Sequence, residues 1–195
     1  MKQLIVFGCS FTSGYKLKDP AEAWPYHVGK YMDREVENFA IAGASNLRIL
    51  TSILSYFQNP INDRDIAVMI MWSWPIRDTI FNANKFTWID INPTNDGELV
   101  HNWLSTHNDT DLTYRSWLYV QHASLFLKSL GITHYNLSTN SELLTTKPSF
   151  VDVPIKYLQI LETIDQHGTV DKFHPNSQAH AEIAKSIIHY ISEPA

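Results

Sequence analysis

Leu4-Ile5-Val6-Phe7-Gly8-Cys9-Ser10 opens the chain with a short apolar run that stops at a glycine and delivers a serine. Four consecutive apolar residues, β-branched or aromatic in the main, predict a strand buried on both faces, as in a parallel sheet. Gly8-Cys9-Ser10 then forms the turn at its C-terminal end. In open α/β sheets reactive groups collect beyond that end of the strands, so Ser10 stands where chemistry is expected.

Working outward, the same alternation repeats. Residues 24–31 read as a helix with Pro25 in its first turn. A second short strand over 36–40 is closed by Ala42-Gly43-Ala44-Ser45-Asn46, and Leu47, Leu50, Leu54 and Phe57 recur at helical spacing. Residues 66–72 form the most apolar stretch and predict a central strand. A helix over 114–130 ends at Gly131 and precedes a strand over 132–137. After Gly168, His174-Pro175-Asn176 leads into a closing helix that buries Ala181, Ile183, Ala184, Ile187, Ile188 and Ile191. Residues 78–113, rich in Asn, Asp, Thr and Trp, fit neither period and are expected to form a lid or binding segment. Residues 138–154 read as a second irregular stretch. Strands alternating with helices predict a mainly parallel sheet covered on both faces, in one domain over residues 1–195.

Composition bounds the function. The 195 residues are 44% hydrophobic and 18% charged, with a net charge of −5 and no run of five like charges, which argues against nucleic acid as a partner. The single cysteine, Cys9, excludes an internal disulfide framework and a multi-cysteine zinc site. No segment approaches the roughly 18–20 apolar residues of a membrane span. No signal peptide is visible, so a cytoplasmic or virion-associated protein is expected. Five of the six tryptophans lie between Trp24 and Trp103, which suggests an aromatic-rich face.

A serine hydroxyl is a poor nucleophile until a base takes its proton and donors hold the oxyanion. Alone, a serine after a first strand is more often a turn or a helix cap. Asp171-Lys172-Phe173-His174-Pro175 supplies the missing base, with an acid three residues before a histidine and just ahead of a helix. Such an acid orients the imidazole and stabilises its protonated form. With nine histidines in the chain, a structural pairing is the plain alternative; His180, further along the helix, reads as structural.

Three blocks in order resemble the SGNH/GDSL hydrolase family. Phe7-Gly8-Cys9-Ser10-Phe11-Thr12-Ser13-Gly14 is similar to its first block, Asn38-Phe39-Ala40-Ile41-Ala42-Gly43-Ala44-Ser45-Asn46 to its second, and Asp171-x-x-His174-Pro175 to its last. The resemblance implies a flavodoxin-like three-layer α/β/α sandwich with a mainly parallel five-stranded sheet. It implies ester hydrolysis through an acyl-enzyme on Ser10, with His174 as base then acid, Asp171 as its partner, and backbone N–H donors from Ser10 and Gly43. It requires no cofactor and no metal. The polar, Trp- and Asn-rich 78–113 segment favours a small-molecule or glycan ester, such as an O-acetylated carbohydrate, as substrate, with a longer acyl ester as the rival.

Two departures stand out. Cys9 replaces the family's aspartate before the nucleophile, and is read as a small apolar residue facing the interior. The third block, normally Gly-x-Asn, is here Trp72-Ser73-Trp74-Pro75-Ile76-Arg77 and has no asparagine. Ser73, Arg77 and Asn46 are the candidate replacements for that oxyanion donor, with Ser73 preferred for its place just past the strand. Trp72, Trp74 and Arg77 are candidate substrate contacts. Two other classes compete: a non-catalytic binding protein that keeps the fold, favoured by the missing asparagine, and a nucleotide-binding module, which lacks the P-loop Lys-Ser/Thr pair.

Overall fold

A computed structural model describes residues 2–58, 65–82, 87–93, 97–149 and 151–193. In chain order the elements are β1 (Lys2–Phe7), α1 (Ser10–Ser13), a 3₁₀ turn (Pro20–Glu22), α2 (Trp24–Tyr31), β2 (Glu35–Asn38), α3 (Asn46–Tyr56), β3 (Asp65–Trp72) and the pair β4 (Asp78–Asn82) and β5 (Thr87–Ile91). There follow α4 (Glu98–Thr106), α5 (Asp109–Ser129), β6 (Thr133–Ser138), α6 (Glu142–Thr145), β7 (Lys156–Tyr157), α7 (Ile160–His167) and α8 (Ser177–Ser192).

The main sheet has five strands in the order β2-β1-β3-β6-β7, all parallel. Helices α2, α7 and α8 pack together, as do α3 and α5, which makes the α/β/α sandwich. Leu4, Ile5, Val6 and Phe7 of β1 and residues 66–72 of β3 are all buried, as central strands covered on both faces must be. Each fully buried side chain of this size contributes about 1.5–3 kcal/mol. Because β2 and β3 lie on opposite sides of β1, the connections diverge above its C-terminal end. That divergence opens the crevice in which such folds hold ligands.

Several expected boundaries differ. The second strand ends at Asn38, not at residue 40, because the Asn38 side chain folds back to accept the N–H of Ala40 (3.1 Å). The 78–113 segment is not irregular: it holds the antiparallel β4–β5 hairpin, α4 and the start of α5, although residues 83–86 and 94–96 lie outside the described ones. Its polar first turn hid the start of α5. Asn108 caps that helix by accepting from the N–H of Asp111 (2.8 Å), and the buried positions begin only at Leu112. The 138–154 stretch contains α6, and β7 and α7 follow it. Among the described residues no helix is long and apolar enough to cross a membrane.

Candidate active site

Ser10 is the first residue of α1 and leaves β1 through Gly8 and Cys9. The turn is tight because the carbonyl of Cys9 accepts from the N–H groups of both Thr12 (2.9 Å) and Ser13 (3.0 Å). Glycine is required at position 8, since any Cβ there would run into the Thr12 side chain. Gly14, at φ +67°, reverses the chain after one turn. Cys9 is buried in the hydrophobic core, as expected of a small apolar residue facing the interior.

The histidine loop sits against this turn. Asp171 Oδ1 accepts from the backbone N–H groups of Phe173 and His174, both at 2.8 Å, and His174 Nδ1 lies 3.0 Å from each carboxylate oxygen. The backbone N–H of Phe173 does most to hold the Asp171 carboxyl well below the usual carboxylate range, with the His174 N–H, Lys16 and the imidazole adding to it against a smaller desolvation cost. The stability this contributes is present above about pH 4 and is lost as pH falls through the lowered value. With the carboxylate at Nδ1, the network assigns the proton there and leaves Nε2 as an acceptor, the form a general base needs.

Val170 N–H donates to the His174 carbonyl (2.9 Å) and closes the loop before α8. The imidazole meets Phe11 edge-on, with ring centroids 5.9 Å apart, and Tyr15 at 4.8 Å. Both rings come from the segment that begins at Ser10. Among the described residues no hydrogen bond joins His174 Nε2 to Ser10 Oγ; such bonds often tighten only in the substrate complex.

His180, in contrast, is fully buried. Its Nδ1 accepts the N–H of Trp24 (3.3 Å), and burial depresses its pKa to about 4. It is structural.

On the other side of Ser10, the Ile41 N–H donates to the Gly8 carbonyl (3.0 Å), tying the loop after β2 to the Ser10 turn. Ala44 N–H donates to the Ile41 carbonyl (3.0 Å), and Gly43 occupies the turn at φ +82°, a conformation that favours glycine. A Cβ at Gly43 would meet nothing within 4 Å.

Asn46 is not a free donor. Its Oδ1 accepts from the Ser73 N–H (2.7 Å), while its Nδ2 donates to the Ser73 carbonyl and to Ser116 Oγ, both at 3.0 Å. The amide therefore imitates a paired strand and fixes the chain as it leaves β3. The backbone N–H of Ser73 is consumed by this contact, Ser73 Oγ accepts from Arg77 Nη1 (3.2 Å), and the residue is fully buried, so the preferred replacement for the missing oxyanion donor is not open to a ligand. The register sets Phe7 opposite Ile70, so Ser10 and Ser73 follow adjacent strand ends.

Trp72 does not reach the site. It is fully buried, and its indole N–H donates to Asn136 Oδ1 (2.9 Å), as befits the last residue of a strand covered on both faces. Trp74 is half-buried beneath the Arg77 guanidinium, 5.7 Å from its ring centroid. Arg77 thus contacts Ser73 and Trp74, and of the three expected substrate contacts in this segment only Trp72 is fully buried. Sequence reasoning missed Phe11, Tyr15 and Lys16 around the base. Lys16 Nζ lies 3.0 Å from Asp171 Oδ2, a pairing across 155 residues that no local pattern signals. Among the described residues no cluster of three or more His, Cys, Asp or Glu could hold a metal ion.

No protein-family model matches the sequence, nor does any curated protein. Solved structures do match over the whole chain. A lipolytic protein of the G-D-S-L family from Veillonella parvula is 14% identical with a TM-score of 0.59, covering 100% of both chains. The psychrotrophic esterase EstA from Pseudoalteromonas is 12% identical, with a TM-score of 0.59 over 97% of this chain and 96% of that one. The acetyl xylan esterase Est2A from Butyrivibrio proteoclasticus is 14% identical, with a TM-score of 0.58 over 97% of this chain and 63% of that one. At such identities the likeness is one of fold, and the fold is that of the SGNH/GDSL hydrolases.

Proposed function

We propose that the protein is a serine esterase in which Ser10, His174 and Asp171 form the catalytic triad. The observation that carries this reading is the His174–Asp171 pair held by Phe11 and Tyr15 against the turn that starts at Ser10. In the reaction, His174 Nε2 takes the hydroxyl proton as Ser10 Oγ attacks the ester carbonyl. The N–H groups of Ser10 and Gly43 stabilise the oxyanion. The alcohol leaves with the proton from His174, and a water activated in the same way releases the acid and regenerates Ser10.

The rim of the site favours an ester with an apolar group. Tyr15, Ile41, Val170 and Phe173 are all exposed, Phe173 to 71%, and each lies in a loop that holds Gly8 or His174. Trp24 and Trp72 are fully buried, so the aromatic-rich face expected of the tryptophans between Trp24 and Trp103 is reduced. A non-catalytic role for the same fold is the second reading. It is favoured by the open Ser10–His174 contact and by the commitment of the Ser73 N–H to Asn46.

Labelling with a fluorophosphonate, combined with hydrolysis of p-nitrophenyl acetate and butyrate, separates these readings. The wild type is expected to label and to prefer butyrate several-fold, since each buried methylene is worth about 0.8 kcal/mol. Ser10→Ala is expected to remove both labelling and turnover while leaving the circular dichroism spectrum unchanged. A wild type that neither labels nor turns over faster than Ser10→Ala establishes the non-catalytic reading. A preference for acetate shifts the substrate to small O-acyl groups such as those of acetylated glycans.

A further inference from the structure

Lys16 stands out among the residues around the base because three independent features meet on it. Its backbone lies at φ +65°, in the left-handed region that a residue with a side chain occupies only at a cost. Its ammonium reaches Asp171 Oδ2 at 3.0 Å, the same oxygen that lies 3.0 Å from His174 Nδ1. Its Nζ also lies 5.4 Å from the centroid of the Tyr15 ring, which itself packs on the imidazole. Two residues past Gly14, this left-handed turn carries the side chain to Asp171 of the histidine loop.

We propose that Lys16 is a positioning residue that clasps the histidine loop to the nucleophile turn and, by sharing the Asp171 carboxylate, lowers the pH at which the base becomes available. The inference rests on the triad reading above. Through the shared Oδ2, the ammonium and His174 Nδ1 are at most about 6 Å apart, a range over which like charges repel measurably even near water. The lysine therefore opposes protonation of the imidazole directly, and again by drawing on the carboxylate that would stabilise the imidazolium. Asp171 in return raises the ammonium above the ordinary lysine range. The titratable groups set against His174 among the described residues are Asp171 from its own loop and Tyr15 from the segment after α1, with Lys16 acting through Asp171; Phe11 adds an uncharged ring.

The test compares wild type, Lys16→Met and Lys16→Arg by the pH profile of kcat/KM with a p-nitrophenyl ester and by proton NMR titration of the His174 imidazole. In Lys16→Met the acid limb and the imidazole titration are expected to move together to higher pH, by about half a unit to one unit. Lys16→Arg is expected to keep both near wild type, and added salt to move the wild type part of the way toward Lys16→Met. A Lys16→Met profile lowered uniformly, with its limb and its imidazole titration unmoved, overturns the proposal and leaves Lys16 a structural tether. If the wild type shows no turnover, the triad reading fails by itself. The NMR titration still decides whether Lys16 tunes His174.

Discussion

The two flanks of Ser10 are built on opposite electrostatic plans. On the base side, Asp171, His174 and Lys16 form a partly exposed cluster, with side chains 20–51% exposed, joined by a Lys16–Asp171 ion pair and a His174–Asp171 hydrogen bond, both at 3.0 Å. On the donor side, Asn46, Ser73 and Ser116 form a network of uncharged side chains that is almost wholly buried, with the Arg77 guanidinium bonded to Ser73 at its edge. An exposed ionic cluster contributes little to folding but responds to pH and salt. A buried neutral network does the reverse: fully satisfied it fixes one backbone path, and broken it leaves orphaned polar groups. The base side is thus the adjustable half of the site and the donor side the rigid half.

Three substitutions break or sharpen this contrast. The largest effect is expected from Asp171→Asn, which keeps the shape of the loop but removes the charge that orients and stabilises the imidazolium. Turnover should fall by about 10⁴-fold, with a small change in thermal midpoint, measured by steady-state kinetics beside calorimetry. A large loss of stability with little loss of rate would reverse the assignment of roles. Asn46→Ala comes next and should do the opposite. It strands the Ser73 N–H and carbonyl in the interior, at a cost of about 2–4 kcal/mol by urea unfolding, and activity should fall only as far as Ser73 shifts. A stability within error of wild type would mean that water replaces the amide and that the flank is less rigid than the structure implies. The smallest effect is expected from Gly43→Ala, where space is open and only the positive φ is disfavoured. That strain amounts to about 1–2 kcal/mol, and the N–H remains to serve an oxyanion. A loss of rate far beyond the loss of stability would show that the loop must move during turnover.

The same contrast explains what was legible beforehand. Asp171 and His174 are three residues apart, so their pairing is a local matter and can be read along the chain. So can the buried strands 4–7 and 66–72, whose apolar continuity needs no partner to be recognised. The start of α5 was not legible, because its first turn is polar and an asparagine cap does the work of a hydrophobic pattern. Nor was the fate of Trp72. A tryptophan at the end of a strand suits a site or a core equally well, and only the presence of Asn136 on the neighbouring strand decides for the core.

Asn46 makes the point most sharply. By residue type and position it is a sound candidate for the missing oxyanion donor. The fold instead brings Ser73 and Ser116 to both ends of its amide, and a donor already spent cannot serve a substrate. Lys16 is the converse: it has no sequence signal, yet the left-handed turn after Gly14 carries it to Asp171.

By itself, then, the sequence determined four of the five strands of the main sheet and the four helices between and after them, the serine at the end of the first strand, and the acid–histidine pair before the last helix. These depend on periodicity and on neighbours a few residues apart. Only the tertiary structure decided which polar side chains are free to act and which are consumed in holding the backbone. That depends on partners 27 to 155 residues away, and no local pattern encodes them.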